Sequence, residues 1–482
     1  MNNSIAKDLL EKENTALKSE LEASLAREAE LESNYTLKNF MKKKISRTKL
    51  YRAAKNPDSK FGRILRAPRT IYRIAKNPEI IQDIRKKKLI IENSPEEKKF
   101  PIPPHKLDPW MLSFDERLEI LKKAKKDNKK IALYLVEKPD SSTFRYRCYN
   151  TMQITKSSKT WQAVYFYNPE LEKIKNHFAH IDTLVIGRES CSRKLIDSII
   201  KLAKKYSLNV SLDIDDLVFD KSRLDSFLEA IGEGVNRSYW AGYIDGVEYL
   251  AKNVDSFIVT NDFLRKIVEN QFNKPCFVIP NFLNEEQLDA SVAYLFRKNI
   301  PREEFLIGYF SGSPTHSKDF ALIETDIVKF LKAHKNAKLL VVGYMKFSKS
   351  LDVFLDNGQI QFIPPVDFRK LQRLMSEVNV NLAPLVENEF TNCKSELKFF
   401  ESAIVETTTI ASPTYAFKTS IKDGKTGFLC NPGEWFDRLE FLYKNPEENR
   451  KIAKAARKFC LEEYSGEKII EKIEKVYDKL KK

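Results

Sequence analysis

The sequence predicts an α/β protein: two doubly wound, Rossmann-like domains, preceded by an N-terminal helical coiled coil and a basic arm. Three observations carry that prediction. Beyond residue 130, short β-branched and aromatic runs alternate with helical stretches through two successive rounds, the pattern of parallel βαβ units. The 482 residues are enough for two to three domains, each with its own core. The net charge of +16 is also concentrated: residues 38–88 hold 18 lysines and arginines against Asp58, Glu79 and Asp83, while residues 1–37 carry −4. The basic character therefore belongs to one segment rather than to the fold.

Residues 1–37 read as a helix with a heptad that places Leu10, Leu17 and Leu31 at d and Asn14, Leu21 and Tyr35 at a, interrupted by Ser24 and Glu28. Two readings stand: a coiled coil that makes a homo-oligomer through residues 4–35, or a helix that packs on its own chain. Residues 38–100 are the basic amphipathic arm and linker. YRAAKNP at 51–57 recurs as YRIAKNP at 72–78, and each Asn-Pro stops a short helix. Basic residues interleaved with apolar ones suit an anionic membrane surface, where each cation near the headgroups contributes about 1 kcal/mol. A solvated or internally packed arm is the alternative. Nucleic acid ranks last, because no nucleic-acid module accompanies the arm. The proline-rich PIPPHKLDPW, 101–110, then leads into the folded body.

An N-terminal Rossmann-like domain is expected over 110–295, with strands at 130–138, 161–167, 183–189, 209–214, 256–260 and 276–282. Ligands of such sheets bind at the carboxyl ends of the strands. Arg145 and Arg147, just past the first strand, are therefore candidates for the cleft. So are Asp213, Asp215 and Asp216 in LDIDDLVFD, which read equally well as caps of a βα loop.

The C-terminal domain is expected over 300–465, with a final amphipathic helix at 466–482 that packs back on the first domain. FLIGYFSGSPTHSKDF runs from a strand into a turn of small residues. Gly312 supplies a permissive dihedral, and Ser313 lets backbone N–H groups approach a phosphate, with His316 and Lys318 as basic help. Strands at 338–343, 359–364 and 380–385 lead to NEFTNCKSELKFFESAIVETTTIASPTYAF, 388–417. Read as a helix beginning near Ser395, a good N-cap residue, this segment puts Leu397, Phe400 and Ile404 on an apolar stripe. Lys394, Lys398 and Glu401 fall on another, within about 60° of one line and spanning about 10 Å. Two ammonium groups beside a helix N-terminus suit a diphosphate, with Ser395 and Glu396 alongside, and Glu401 is placed for ribose or sugar hydroxyls. A solvated helix face is the bland alternative.

KSELKFFE, then a strand, then DGKTGFL resembles the nucleotide-binding half of GT-B glycosyltransferases, in particular the retaining glycosyltransferase family 4 (glycosyl transferases group 1). The resemblance implies a GT-B fold with a nucleotide-sugar donor on the C-terminal half and an acceptor, lipid-linked or a cell-surface glycan, on the N-terminal half. It also implies retention of configuration and neither metal nor other cofactor. Lys398, Glu401 and Asp213 are the residues expected to carry catalysis. The family pairs two glutamates with seven residues between them. Here Cys393 stands at the first position, so Glu389 or Glu396 takes that part, or this chain does without it. The histidine that contacts the transferred sugar in relatives has no counterpart. DID also matches the metal-binding D-x-D of GT-A glycosyltransferases, a reading that leaves the second doubly wound half unexplained. A GT-B nucleotide-sugar epimerase and a noncatalytic GT-B scaffold are the rivals from other classes.

Six cysteines without regular spacing fit a reducing compartment. His177 and His180 have no third ligand in view, which argues against zinc. No apolar run reaches the roughly 18 residues of a membrane span. The expected location is cytoplasmic, peripheral on the inner face of the cell membrane.

Overall fold

The computed structural model describes residues 108–481, apart from 138, 141, 190–191, 232–234, 299–302 and 313–316. The expected coiled coil, the basic arm, Ser313 and His316 lie outside the described residues. Described structure begins with the helix Phe114–Lys126, which Ser113 closes with a capping box: its hydroxyl accepts from the Glu116 amide and Glu116 reaches back to Ser113 N–H.

Six strands follow: β1 (Lys130–Val136), β2 (Trp161–Tyr167), β3 (Thr183–Gly187), β4 (Val210–Ile214), β5 (Ser256–Val259) and β6 (Cys276–Val278). They pair in parallel in the order β2-β1-β3-β4-β5-β6. From Ile131 through Val136 every residue is buried, as expected of a parallel strand covered on both faces. The second sheet comprises β7 (Phe305–Ser311), β8 (Ala337–Gly343), β9 (Ile360–Ile363), β10 (Val380–Ala383), β11 (Thr408–Ala411) and β12 (Phe428–Leu429). Its order is β12-β11-β10-β7-β8-β9, again all parallel.

Strand order reverses between β1 and β3 in the first sheet and between β7 and β10 in the second. Such switch points open crevices at the carboxyl ends of the strands. Gly343, which ends β8, needs a left-handed φ of +108°, and a Cβ there would sit 1.9 Å from the Ser311 carbonyl oxygen. Gly312 needs no such freedom: its φ is not left-handed, and a Cβ would meet nothing within 4 Å. The permissive glycine of the second sheet's crevice is thus Gly343, not the expected Gly312.

Helices seal the lobes to each other. Glu285–Lys298 packs on Phe368–Glu377, with Gln372 Nε2 donating to the Gln287 carbonyl at 2.7 Å. The last helix, Glu467–Leu480, returns to the first sheet as expected. There the Tyr477 and Tyr134 hydroxyls meet at 2.8 Å, and Asp478 takes Lys130 at 2.6 Å and Trp161 Nε1 at 3.0 Å. Among the described residues no helix is long and apolar enough to cross a membrane.

Candidate active site

Segment 388–403 follows β10 and lies against the first sheet's carboxyl end. It is not one helix. Asn388 caps a short turn of helix, Glu389–Asn392, the chain then bends through 393–396, and helix resumes only at Leu397–Ala403. Ser395 therefore caps nothing; its hydroxyl accepts from Asn281 Nδ2 at 3.0 Å. The cause is tertiary. Asn261, beyond β5, donates to the carbonyls of Asn392 (3.3 Å), Cys393 (3.2 Å) and Lys394 (3.0 Å), which breaks the helical ladder and clamps the bend. Cys393 is fully buried in the first lobe's apolar core. Seven helical residues are too few for the dipole argument, so any anion affinity rests on the side chains.

Lys394 and Glu401 face the first lobe, and Lys398 faces Tyr309 of the second. Lys394 Nζ lies 3.5 Å from Asp216 and 4.4 Å from the centre of the Phe390 ring. Lys398 is anchored through its backbone, whose carbonyl accepts from Asn381 Nδ2 at 2.9 Å. Its Nζ is sealed from solvent over the Tyr309 ring and finds no hydrogen-bond partner among the described residues. Burial lowers its pKa to about 8, Lys394 adds to the effect, and Asp319 and Glu401 oppose it. Glu401 accepts from the Tyr146 hydroxyl and from Gln287 Nε2 (3.3 Å), with Arg145 at 3.6 Å.

Of these three, Lys394 lines a cleft of about 520 Å³, with Leu217, Phe227 and Glu229 on one side and Lys318 and Asp319 on its own. Lys318 Nζ reaches across it to the Glu229 carbonyl at 2.8 Å. Glu389 also lines the cleft and pairs with Arg223 at 3.0 Å. Glu396 does not join it. This carboxyl turns away to the Tyr464 hydroxyl, and burial raises its pKa against that hydrogen bond. Of the two glutamates offered as stand-ins for the position of Cys393, the cleft thus takes Glu389.

On the first lobe the expected residues separate into two groups. Arg147 and Asp213 saturate each other: Nε to Oδ1 at 2.7 Å and Nη2 to Oδ2 at 3.2 Å, with Nη1 donating to the Ile279 carbonyl at 2.7 Å and to Asn281 at 3.1 Å. Asp213 is 2% exposed, which leaves no open face for a substrate. Its expected catalytic role is replaced by a structural ion pair. Asp215 and Asp216 are bridged by Arg188 at 3.1 Å to each, and Asp216 stands 3.5 Å from Lys394 of the cleft wall. Burial works against the Arg188 charge, but the two carboxylates outweigh it and raise its pKa. Arg188, Tyr146, Gln287 and Asp319 are site residues that sequence reasoning missed. Arg188 follows β3 directly, so the carboxyl-end rule that found Arg145 also reaches it.

The set of two lysines, one sealed and without a hydrogen bond, beside carboxylates that take hydroxyl donors, suits an anion joined to a polyol. Residues 305–445 match the family model for Glycosyl transferases group 1. The second lobe is a Glycosyl transferases group 1 domain, and the chain has the GT-B fold. Its fold is that of the Rickettsia africae ESF-5 glycosyltransferase, 14% identical over 73% of this chain and 99% of that one, with a TM-score of 0.51. Sucrose-phosphate synthase from Thermosynechococcus elongatus, at 12% identity over 73% and 99%, gives a TM-score of 0.50. No curated protein matches this chain by sequence.

Proposed function

We propose that the enzyme takes a sugar from a nucleotide-sugar donor held by the second lobe and transfers it, with retention and without a metal, to a glycan or lipid-linked acceptor on the first lobe. The observation that carries this reading is Lys398: a cation whose Nζ is sealed off with no hydrogen bond among the described residues, beside Lys394 and at the switch point of the second sheet. A leaving diphosphate supplies the missing acceptor oxygens. Its charge grows in the transition state, where such a cation stabilises it most. Glu401 then orients the nucleoside, held in place by Tyr146, Gln287 and Arg145. Closure of the lobes over the cleft excludes water and limits hydrolysis of the donor. The basic segment 38–88 brings the enzyme to an anionic membrane at the cytoplasmic face.

The test is a screen of nucleotide-sugar donors for nucleotide release, repeated with Lys398→Ala and Glu401→Ala. Each variant is expected to lose at least tenfold in turnover, about 1.4 kcal/mol. Release absent with every donor contradicts the reading. The membrane assignment fails if a chain lacking residues 1–100 pellets with anionic liposomes as well as the full chain does.

A further inference from the structure

The helix Arg237–Asn253 buries Ile244, Val247 and Leu250 in the first lobe's core, and it carries three neighbouring rings: Trp240 and Tyr243, half-buried against that core, and Tyr239, which is exposed. Tyr239 and Tyr243, one turn apart, stack with centroids 6.4 Å apart and planes 25° apart. Trp240 stands edge-on to both, at 5.4 and 5.5 Å. Tyr239 is 61% exposed.

A line of ring contacts and an electrostatic link lead from this shelf toward the cleft, and both end at Lys394. Along the first, Trp240 meets Phe227 at 4.8 Å, Phe227 meets Phe390 at 5.4 Å, and Lys394 sits over Phe390. Along the second, Tyr243 lies in the field of Arg188, Asp215 and Asp216, and Asp216 reaches Lys394 at 3.5 Å. Burial, opposed by Arg188 and helped by the two carboxylates, raises the Tyr243 pKa to about 12, so its hydroxyl stays a donor at neutral pH.

A pyranose ring has an apolar C–H face and a rim of hydroxyls. Binding one takes an aromatic plane with charged donors and acceptors at its edge. We propose that the Tyr239–Tyr243 shelf, bordered by Arg188, Asp215 and Asp216, binds a hexopyranose unit of the acceptor and presents it toward Lys394. The proposal rests on the transferase reading of the cleft given above. Arg188 acts as a positioning residue that holds both carboxylates toward the ring.

The test uses the full chain and a reading that needs no turnover: saturation-transfer NMR with methyl α- and β-glycosides of glucose, galactose, mannose and N-acetylglucosamine. At least one is expected to show saturation of its ring C–H protons from the aromatic envelope. Tyr239→Ala, at an exposed position, should cut that signal at least fivefold with an unchanged circular dichroism spectrum, and Tyr239→Phe should keep it within twofold. Octyl glycosides of the same sugars separate two sources of the ring: a stronger signal than the methyl glycoside marks a lipid-linked acceptor, an equal one a glycan end. Silence from the whole panel, or a Tyr239→Ala signal equal to wild type, overturns the shelf. Sugar binding that survives while no donor releases nucleotide keeps the shelf and removes the transferase reading.

Discussion

Arg147 and Lys398 are both buried cations just beyond the crevice strands, and their surroundings differ in one respect. Arg147 has a carboxylate, a carbonyl and an amide oxygen arranged around its guanidinium, whereas Lys398 Nζ has a tyrosine ring below it and no hydrogen-bond acceptor among the described residues. A buried charge without acceptors lowers stability. Such a residue is retained where an outside anion completes it, so satisfaction, rather than burial or charge, separates the structural cation from the functional one.

The largest effect belongs to the satisfied member. Arg147→Met leaves Asp213 buried and unpaired, and urea unfolding should show a loss of about 3–5 kcal/mol. Replacing Asp213 with leucine in the same chain should recover most of it. If Arg147→Met were stable and yet inactive, the two cations would have to change places in this account.

Lys398→Met should do the reverse: at least tenfold slower nucleotide release, about 1.4 kcal/mol, with no loss of stability at pH 7. The pH dependence has a definite sign. Folded, the amine titrates at about 8; in the unfolded chain it keeps its proton up to its ordinary value of 10.5. Between those values the unfolded state binds more protons, so stability rises with pH in that window, and any advantage of Lys398→Met shrinks there. Activity moves the other way. kcat/KM should fall above about pH 8 in the wild type as the cation is lost, and that limb should be absent from Lys398→Met.

These sites were unequally legible in the sequence. Strands such as 338–343, all but one of whose residues are apolar or glycine, declare themselves by composition, as do the two rounds of βα alternation that define the fold. Lys398 and Glu401 could be read from charge and spacing because both lie in the helix Leu397–Ala403. Spacing alone groups Lys394 with them because nothing local marks the bend at 393–396; the clamp comes from Asn261, more than a hundred residues earlier. Arg147 and Asp213 looked like cleft residues for a similar reason, since a pairing between a helix and a strand end leaves no local trace. Tyr146, a phenol between two arginines, carries no charge to mark it, although its hydroxyl holds Glu401. The two-residue strand β12 is too short to carry a pattern.

The smallest expected effect tests this separation from the other side. Glu396→Gln, at a carboxyl turned to Tyr464 and away from the cleft, should change nucleotide release by less than twofold. A tenfold loss would return Glu396 to the donor site.

The most direct measurement is the thermal shift given by UDP, GDP, ADP and CDP, taken on the wild type and on Lys398→Met in parallel. At a hundredfold excess over its dissociation constant a ligand adds about 2.7 kcal/mol to stability, which a melting curve resolves. One of the four should raise the melting temperature of the wild type and leave Lys398→Met nearly unmoved. Equal stabilisation of both proteins, or of neither by any of the four, would contradict the claim that Lys398 awaits a diphosphate.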